Sequence, residues 1–161
     1  MITINFETGD VLDIDKKTLK NSVLAGFDFH RAVFDEMNIE GVDFRSSKLR
    51  GTSLRKVNAS FANFSGVPLM TSNFYKANLA ESIFIDSRVM YADFTGSNLS
   101  KSDMTDADVL GAVFKDADLK GVVMLCQNLD KADLGGSFYN VKTVWPEGFD
   151  PLTKGAILID S

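Results

Sequence analysis

One histidine, one cysteine and a scatter of aspartates are what this 161-residue chain offers for chemistry. His30 would need a second imidazole or a neighbouring carboxylate set to bind a metal, or a nucleophile to serve as a base. No second histidine exists, so His30 reads as a surface residue. Cys126 has no basic neighbour in sequence to lower its thiol pKa, which describes an inert thiol rather than a redox one. A single cysteine also rules out an internal disulfide. Asp103, Asp106, Asp108, Asp116 and Asp118 suggest a cation site, and Asp86 with Asp106 could hold one weakly. A solvated acidic edge explains them as well. Serine and threonine are plentiful, but no histidine-backed nucleophile can be assembled away from His30. There is no glycine-rich phosphate loop, CxxC or HExxH. No catalytic, cofactor-binding or metal-ligating residue is assigned, and the enzyme class is set aside.

The elements that would position any site follow from one periodicity. A large apolar residue, or in one case Ala59, stands at every fifth position from Leu19 to Leu134, 24 positions in all. In an α-helix residues five apart lie about 140° from each other, and in a single strand alternate ones fall on opposite faces. A chain that keeps one residue in five inside must therefore turn a corner every five residues. Four corners close a square, and the chain climbs to the next level.

The flanking positions agree. Two residues before the centre, 16 of 24 positions are Ala, Ser or Thr, as a narrow interior demands, with the hydroxyls expected to bond backbone. Two residues after it, Gly recurs at 26, 41, 51, 66, 96, 111, 121 and 136, which suits a corner of unusual φ. Positions 20 apart form columns: Phe34, Leu54, Phe74, Phe94, Phe114, Leu134, and Leu24, Phe44, Phe64, Phe84, Met104, Met124. These place Phe34, Phe44, Phe64, Phe74, Phe84, Phe94 and Phe114 in a core stack. Asn38, Asn58, Asn78 and Asn98 fall in one column and can form an amide ladder.

The segments Ala77-Asn78-Leu79, Ala92-Asp93-Phe94, Ala107-Asp108-Val109, Ala117-Asp118-Leu119 and Ala132-Asp133-Leu134 resemble the pentapeptide-repeat family. The resemblance covers about residues 17–136. It implies an all-β fold, a right-handed quadrilateral β-helix. Counting 24 repeats over four sides predicts six coils, and at roughly 4.8 Å per level a rod about 29 Å tall.

A solenoid needs its ends covered. Residues 1–16, with Ile2, Ile4 and Phe6 alternating, are expected to form a short strand or irregular N-terminal cap. Residues 137–161 break the rhythm and are expected to form the C-terminal cap. Asp150 before Pro151 is a good helix start. Trp145 and Phe149 are the expected lid on the last level. The tail from Trp145 to Pro151 is similar to tails of cyanobacterial members of the family. No signal peptide or 18-residue apolar run is present, which gives a cytoplasmic expectation without a membrane span. Net charge is −5, from 17 basic and 22 acidic residues, which disfavours nucleic acid as a partner.

The outward positions are mostly polar, and one side breaks that rule. After the centres Phe29, Leu49, Leu69, Val89, Val109 and Leu129 come His30, Arg50, Met70, Met90, Leu110 and Asp130. Met70, Met90 and Leu110, with Tyr91, make an apolar stripe rimmed by Arg50 and Asp130. Lys48, Pro68 and Arg88 replace Asn or Asp on the same side, and Pro68 removes an N–H from it. Ile85, Leu125, Tyr75 and Phe61 fall on other sides and do not line up. The stripe reads as a contact surface for an unidentified protein partner or a second copy of the chain, set against a wall covered by a terminal segment.

Function therefore reads as a non-enzymatic interaction scaffold. Two alternatives come from the family resemblance: a DNA-mimic inhibitor or protector of a topoisomerase, gyrase, and a regulator of differentiation or stress signalling. The modest charge and the uninterrupted repeats stand against the DNA mimic.

Overall fold

In the computed structural model, which describes residues 1–160, all 24 five-spaced centres are buried, and the most exposed of them, Leu129, shows only 3% of its surface. The corners explain how. Except at Leu24 and Met124, the carbonyl of each centre accepts the N–H three residues on, as in Ala32 N to Phe29 O at 2.9 Å, closing a four-residue turn. The third residue of that turn has positive φ at every fifth position from Asn21 to Gly121, between 52° and 79°. Positive φ there alone is the mark of a type II turn. Glycine fills only some of these corners. Fourteen others, from Asn21 to Asp116, carry side chains in the same left-handed region, each at a cost of about 1–2 kcal/mol.

The Asn/Asp position before the centre stabilises the corner. Its side-chain oxygen accepts the N–H two residues on, as in Asn73 to Tyr75 at 2.9 Å and Asp103 to Thr105 at 2.9 Å. This is an Asx turn, which a short acceptor side chain makes and Ala cannot. Asp103, Asp108 and Asp118 all do it, so their place in the acidic run is structural.

Successive levels are tied by parallel bridges between residues 20 apart, from Val23↔Asp43 to Asp103↔Val123. The two aromatic columns interlock. Phe74, Phe94 and Phe114 stack at 4.8 and 4.9 Å with 2° between planes, and Phe84 meets Phe94 edge-on at 5.8 Å and 85°. The amide ladder forms: Asn78 Nδ2 donates to Asn58 Oδ1 at 3.0 Å and Asn98 Nδ2 to Asn78 Oδ1 at 3.3 Å. Of the small inward residues, Thr52, Ser72 and Ser82 hydroxyls bond carbonyls as expected, whereas the buried Oγ atoms of Ser87, Ser97 and Ser102 have no partner.

The ends hold more strand than the sequence suggests. The N-terminus is a hairpin of β1 (Ile2–Phe6) and β2 (Val11–Ile14), turning through Gly9 at φ 91°. β1 also pairs antiparallel with β3 (Ala32–Val33), and Ile4 and Ile14 join the core. At the other end β4 (Phe138–Tyr139) continues the ladder by bridging Asp118, and β5 (Ile157–Leu158) pairs parallel with β4. Tyr139, five beyond Leu134, is buried. Asp150 accepts Leu152 N–H at 3.0 Å and opens a 3₁₀ turn, Pro151–Lys154. Trp145 stacks on Phe149 at 5.4 Å and meets Tyr139 edge-on at 5.3 Å. Among the described residues no helix is long and apolar enough to cross a membrane.

Candidate functional site

The stripe sits on the wall whose core residues are Leu49, Leu69, Val89 and Val109. Each of these buried centres is flanked by two outward residues: Lys48 and Arg50, Pro68 and Met70, Arg88 and Met90, Asp108 and Leu110. Level-to-level bonds fix the stacking. Gly51 N–H donates to Met70 O at 2.9 Å, Thr71 N–H to Met90 O at 3.0 Å, and Tyr91 N–H to Leu110 O at 2.8 Å. Met70, Met90 and Leu110 therefore stand in register on successive levels. All three are half-buried, while Tyr91 at the corner is 61% exposed. Arg50 is exposed one level before Met70.

Asp130 is exposed, beside a change of register. The ladder slips there: Asp108 bridges Gln127, 19 residues on, and Val109 N–H reaches Gln127 O at 3.1 Å. Cys126 lacks the positive φ of the other corners, Asn128 takes it up at 59°, and Leu129–Lys131 form a 3₁₀ turn. Asp130 lies in that turn with its carbonyl held by Lys154 Nζ at 2.7 Å. Asn128 Nδ2, at 2.8 Å from Asp108 Oδ1, closes the wall instead.

Pro68 leaves a visible gap. The bridge series runs Asp28↔Lys48, then Pro68↔Arg88 and Arg88↔Asp108, with no rung between Lys48 and Pro68. A proline has no N–H to give the Ser47 carbonyl, the acceptor that the pattern prescribes. Nor do Lys48, Pro68 and Arg88 supply an Asx acceptor. This wall thus lacks backbone and side-chain bonds that its neighbours have.

The arginines differ in their pairing. Arg31 pairs with Glu7 at 3.1 Å, Arg45 with Asp43 at 2.7 Å, and Arg55 with Asp35 at 2.7 Å. Hydrogen bonds from Arg45 hold the Asp43 carboxyl below its ordinary pKa. At Asp35 burial pushes upward, yet the bonds from Ser53 and Arg55 outweigh it and the pKa is lowered. Arg50 and Arg88, both exposed, have no carboxylate within 4.0 Å among the described residues. These two unpaired arginines both stand on the stripe's wall. The sequence reading took Arg50 as rim and noted Arg88 only as a departure from Asn or Asp beside Met90, without adding it to the patch.

The remaining chemical residues do not converge. His30 is exposed, with its backbone N–H on Asp28. The Cys126 thiol is half-buried, donates to Met124 O at 3.3 Å, and burial pushes its pKa up to about 12. Asp86 and Asp106 are exposed corner residues. Among the described residues no group of three His, Cys, Asp or Glu side chains could hold a metal ion. Exposed apolar residues that the sequence reading did not single out lie at the ends: Val23 and Phe27 at one, Val141, Val144, Ile157 and Leu158 at the other.

No curated protein matches the chain. Among solved structures it resembles a pentapeptide repeat protein, Rfr23, from the cyanobacterium Cyanothece 51142, with 21% identity over 78% of this chain and 88% of that one and a TM-score of 0.55. A pentapeptide repeat protein from Nostoc Pcc 7120, alr5209, is 27% identical over 73% of this chain and 84% of that one, with a TM-score of 0.35. Full-length QnrB1, a plasmid-mediated fluoroquinolone resistance protein, is 16% identical over 92% of this chain and 88% of that one, with a TM-score of 0.41. The likeness to Rfr23 is one of fold, that of a right-handed quadrilateral β-helix. The sequence itself matches the family described as pentapeptide repeat region over residues 59–134, and that described as pentapeptide repeats over 18–51 and 38–74. Matched from residue 18 to residue 134, with its centres buried and a left-handed corner every five residues, the chain belongs to the pentapeptide-repeat family.

Proposed function

We propose that the protein is a non-enzymatic scaffold that binds another protein through the wall carrying Met70, Met90, Leu110 and Tyr91. One observation carries this reading: three apolar side chains stacked on successive levels beside a largely exposed Tyr. Methionine and tyrosine are residue types that contact surfaces favour. In the same reading residues 1–16 and 137–161 serve as caps to a repeat body of 17–136, and the protein works in the cytoplasm.

The test is capture from native lysate by the wild type beside Met90→Glu and Phe61→Glu, the second a charge on a different wall. Proteins retained by wild type and Phe61→Glu but lost with Met90→Glu support the wall. The same set retained by all three removes it. Circular dichroism of each variant checks that the fold survives.

A further inference from the structure

We infer that the occupant of this wall is an acidic amphipathic helix lying along the rod axis. The inference rests on the scaffold reading and adds the chemistry and shape of the partner. Two observations carry it.

The first is spacing. Met70, Met90 and Leu110 follow one another one level apart in a single column, and levels of such a ladder lie roughly 4.8 Å apart. An α-helix rises about 5.4 Å per turn. A helix laid along the column sets one apolar side chain per turn against one apolar residue per level, over the two steps that the stripe spans. An extended strand in the same direction presents a side chain on one face about every 6.8 Å and loses register at once.

The second is charge. Three of the five arginines are held by carboxylates of their own chain; of the two that are not, Arg50 heads this column and Arg88 flanks it. Arg88 and Met90 are the two outward neighbours of buried Val89, so the guanidinium and the thioether share one level. Arg50 stands in the stripe's own column, just before Met70. A protein with net charge −5 thus leaves its free guanidinium groups beside its apolar column. A helix with Asp or Glu on the flank of its apolar face would pair with both. A basic or uncharged helix would leave both unpaired against the partner's surface.

The experiment is a display selection on the folded protein, using a library of helical peptides with apolar residues fixed at one per turn and the flanking positions randomised. The inference expects retained helices to be rich in Asp and Glu on one flank. It also expects a chosen binder to bind the Arg50→Glu/Arg88→Glu protein roughly tenfold or more weaker, as the loss of two charge pairs and their replacement by repulsion requires. Retained helices without acidic bias, or with affinity unchanged in the double variant, overturn it. If such helices are still lost with Met90→Glu or Tyr91→Ala, the scaffold reading stands while this inference fails. If they bind both of those variants as well as wild type, both readings fail. A wild type that retains no helix but forms a dimer in sedimentation, with Met90→Glu monomeric, names a second copy as the occupant and overturns the helix.

Discussion

The ring of Tyr91 lies across the backbone of Gly111 on the next level, so close that a Cβ at 111 would stand 2.5 Å from both Cδ1 and Cε1. Gly111 has φ +65° as well. The most exposed aromatic of the stripe is thus seated by the absence of a side chain beneath it.

Gly111→Ala therefore meets two penalties. The left-handed backbone alone costs about 1–2 kcal/mol, and the ring must also move. Urea unfolding of Gly111→Ala should show a larger loss in the wild-type background than in Tyr91→Ala, where only the backbone cost is left. Equal losses in both backgrounds would show that the ring does not rest there.

Phe94 is sandwiched between Phe74 and Phe114 at 4.8 and 4.9 Å and is wholly buried. The levels on either side are tied by backbone bonds and cannot collapse into a void. Phe94→Ala should cost about 3–5 kcal/mol, read from the denaturant midpoint and slope. Phe61→Ala, on an exposed corner, should stay within roughly 0.5 kcal/mol.

Pro68→Asn should stabilise the protein. It restores an N–H for the Ser47 carbonyl and an acceptor for the turn at Met70. Each bond contributes roughly 0.5–1.5 kcal/mol, against about 0.4–1 kcal/mol for the lost rigidity of proline. A gain in unfolding free energy near 1 kcal/mol, seen as a higher urea midpoint, is expected. A fall would mean that this wall is shaped by the proline ring rather than by a missing rung.

Cys126 should resist thiol reagents in the folded protein at pH 8 and react once urea unfolds it. Burial raises its pKa from the ordinary 9.0 to about 12, so folding favours the neutral thiol. That contribution is full below pH 9.0 and disappears as pH rises towards 12. Labelling by a chromogenic disulfide, followed across the urea transition, checks the first point. Rapid labelling without urea would show an open corner at 126.

The body of the fold was legible because its period leaves little freedom. Once Phe74 is inside, Phe94 must stack on it, and Asn58, Asn78 and Asn98 must meet. The slip at Cys126–Lys131 was not legible. Met124, Leu129 and Leu134 keep the five-residue phase in sequence and stay buried, while the ladder shifts by one residue at Gln127 and regains its register at Asp133 after a 3₁₀ turn. Residue identity at the centres is blind to that compensation. β2 was missed because Val11, Leu12 and Ile14 are flanked by Asp10, Asp13 and Asp15, and its partner β1 decides its conformation. The alignment of Met70, Met90 and Leu110 was readable, since it needs only the 20-residue register. The freedom of Arg88 was not, because pairing depends on which carboxylates other levels bring near.

The uniformity of the corners governs how such a chain can change length. With the same turn every five residues, an insertion of 20 between Ala80 and Glu81 would add a level and leave each later residue on its own wall. An insertion of five at the same point would keep every centre buried and every corner intact. It would also rotate all that follows by a quarter turn, carrying Met90, Tyr91 and Leu110 away from Met70. Stability would hardly register the event, and the binding wall would be cut in two. Selection on length in this fold therefore acts on the alignment of surface residues, in steps the core cannot sense.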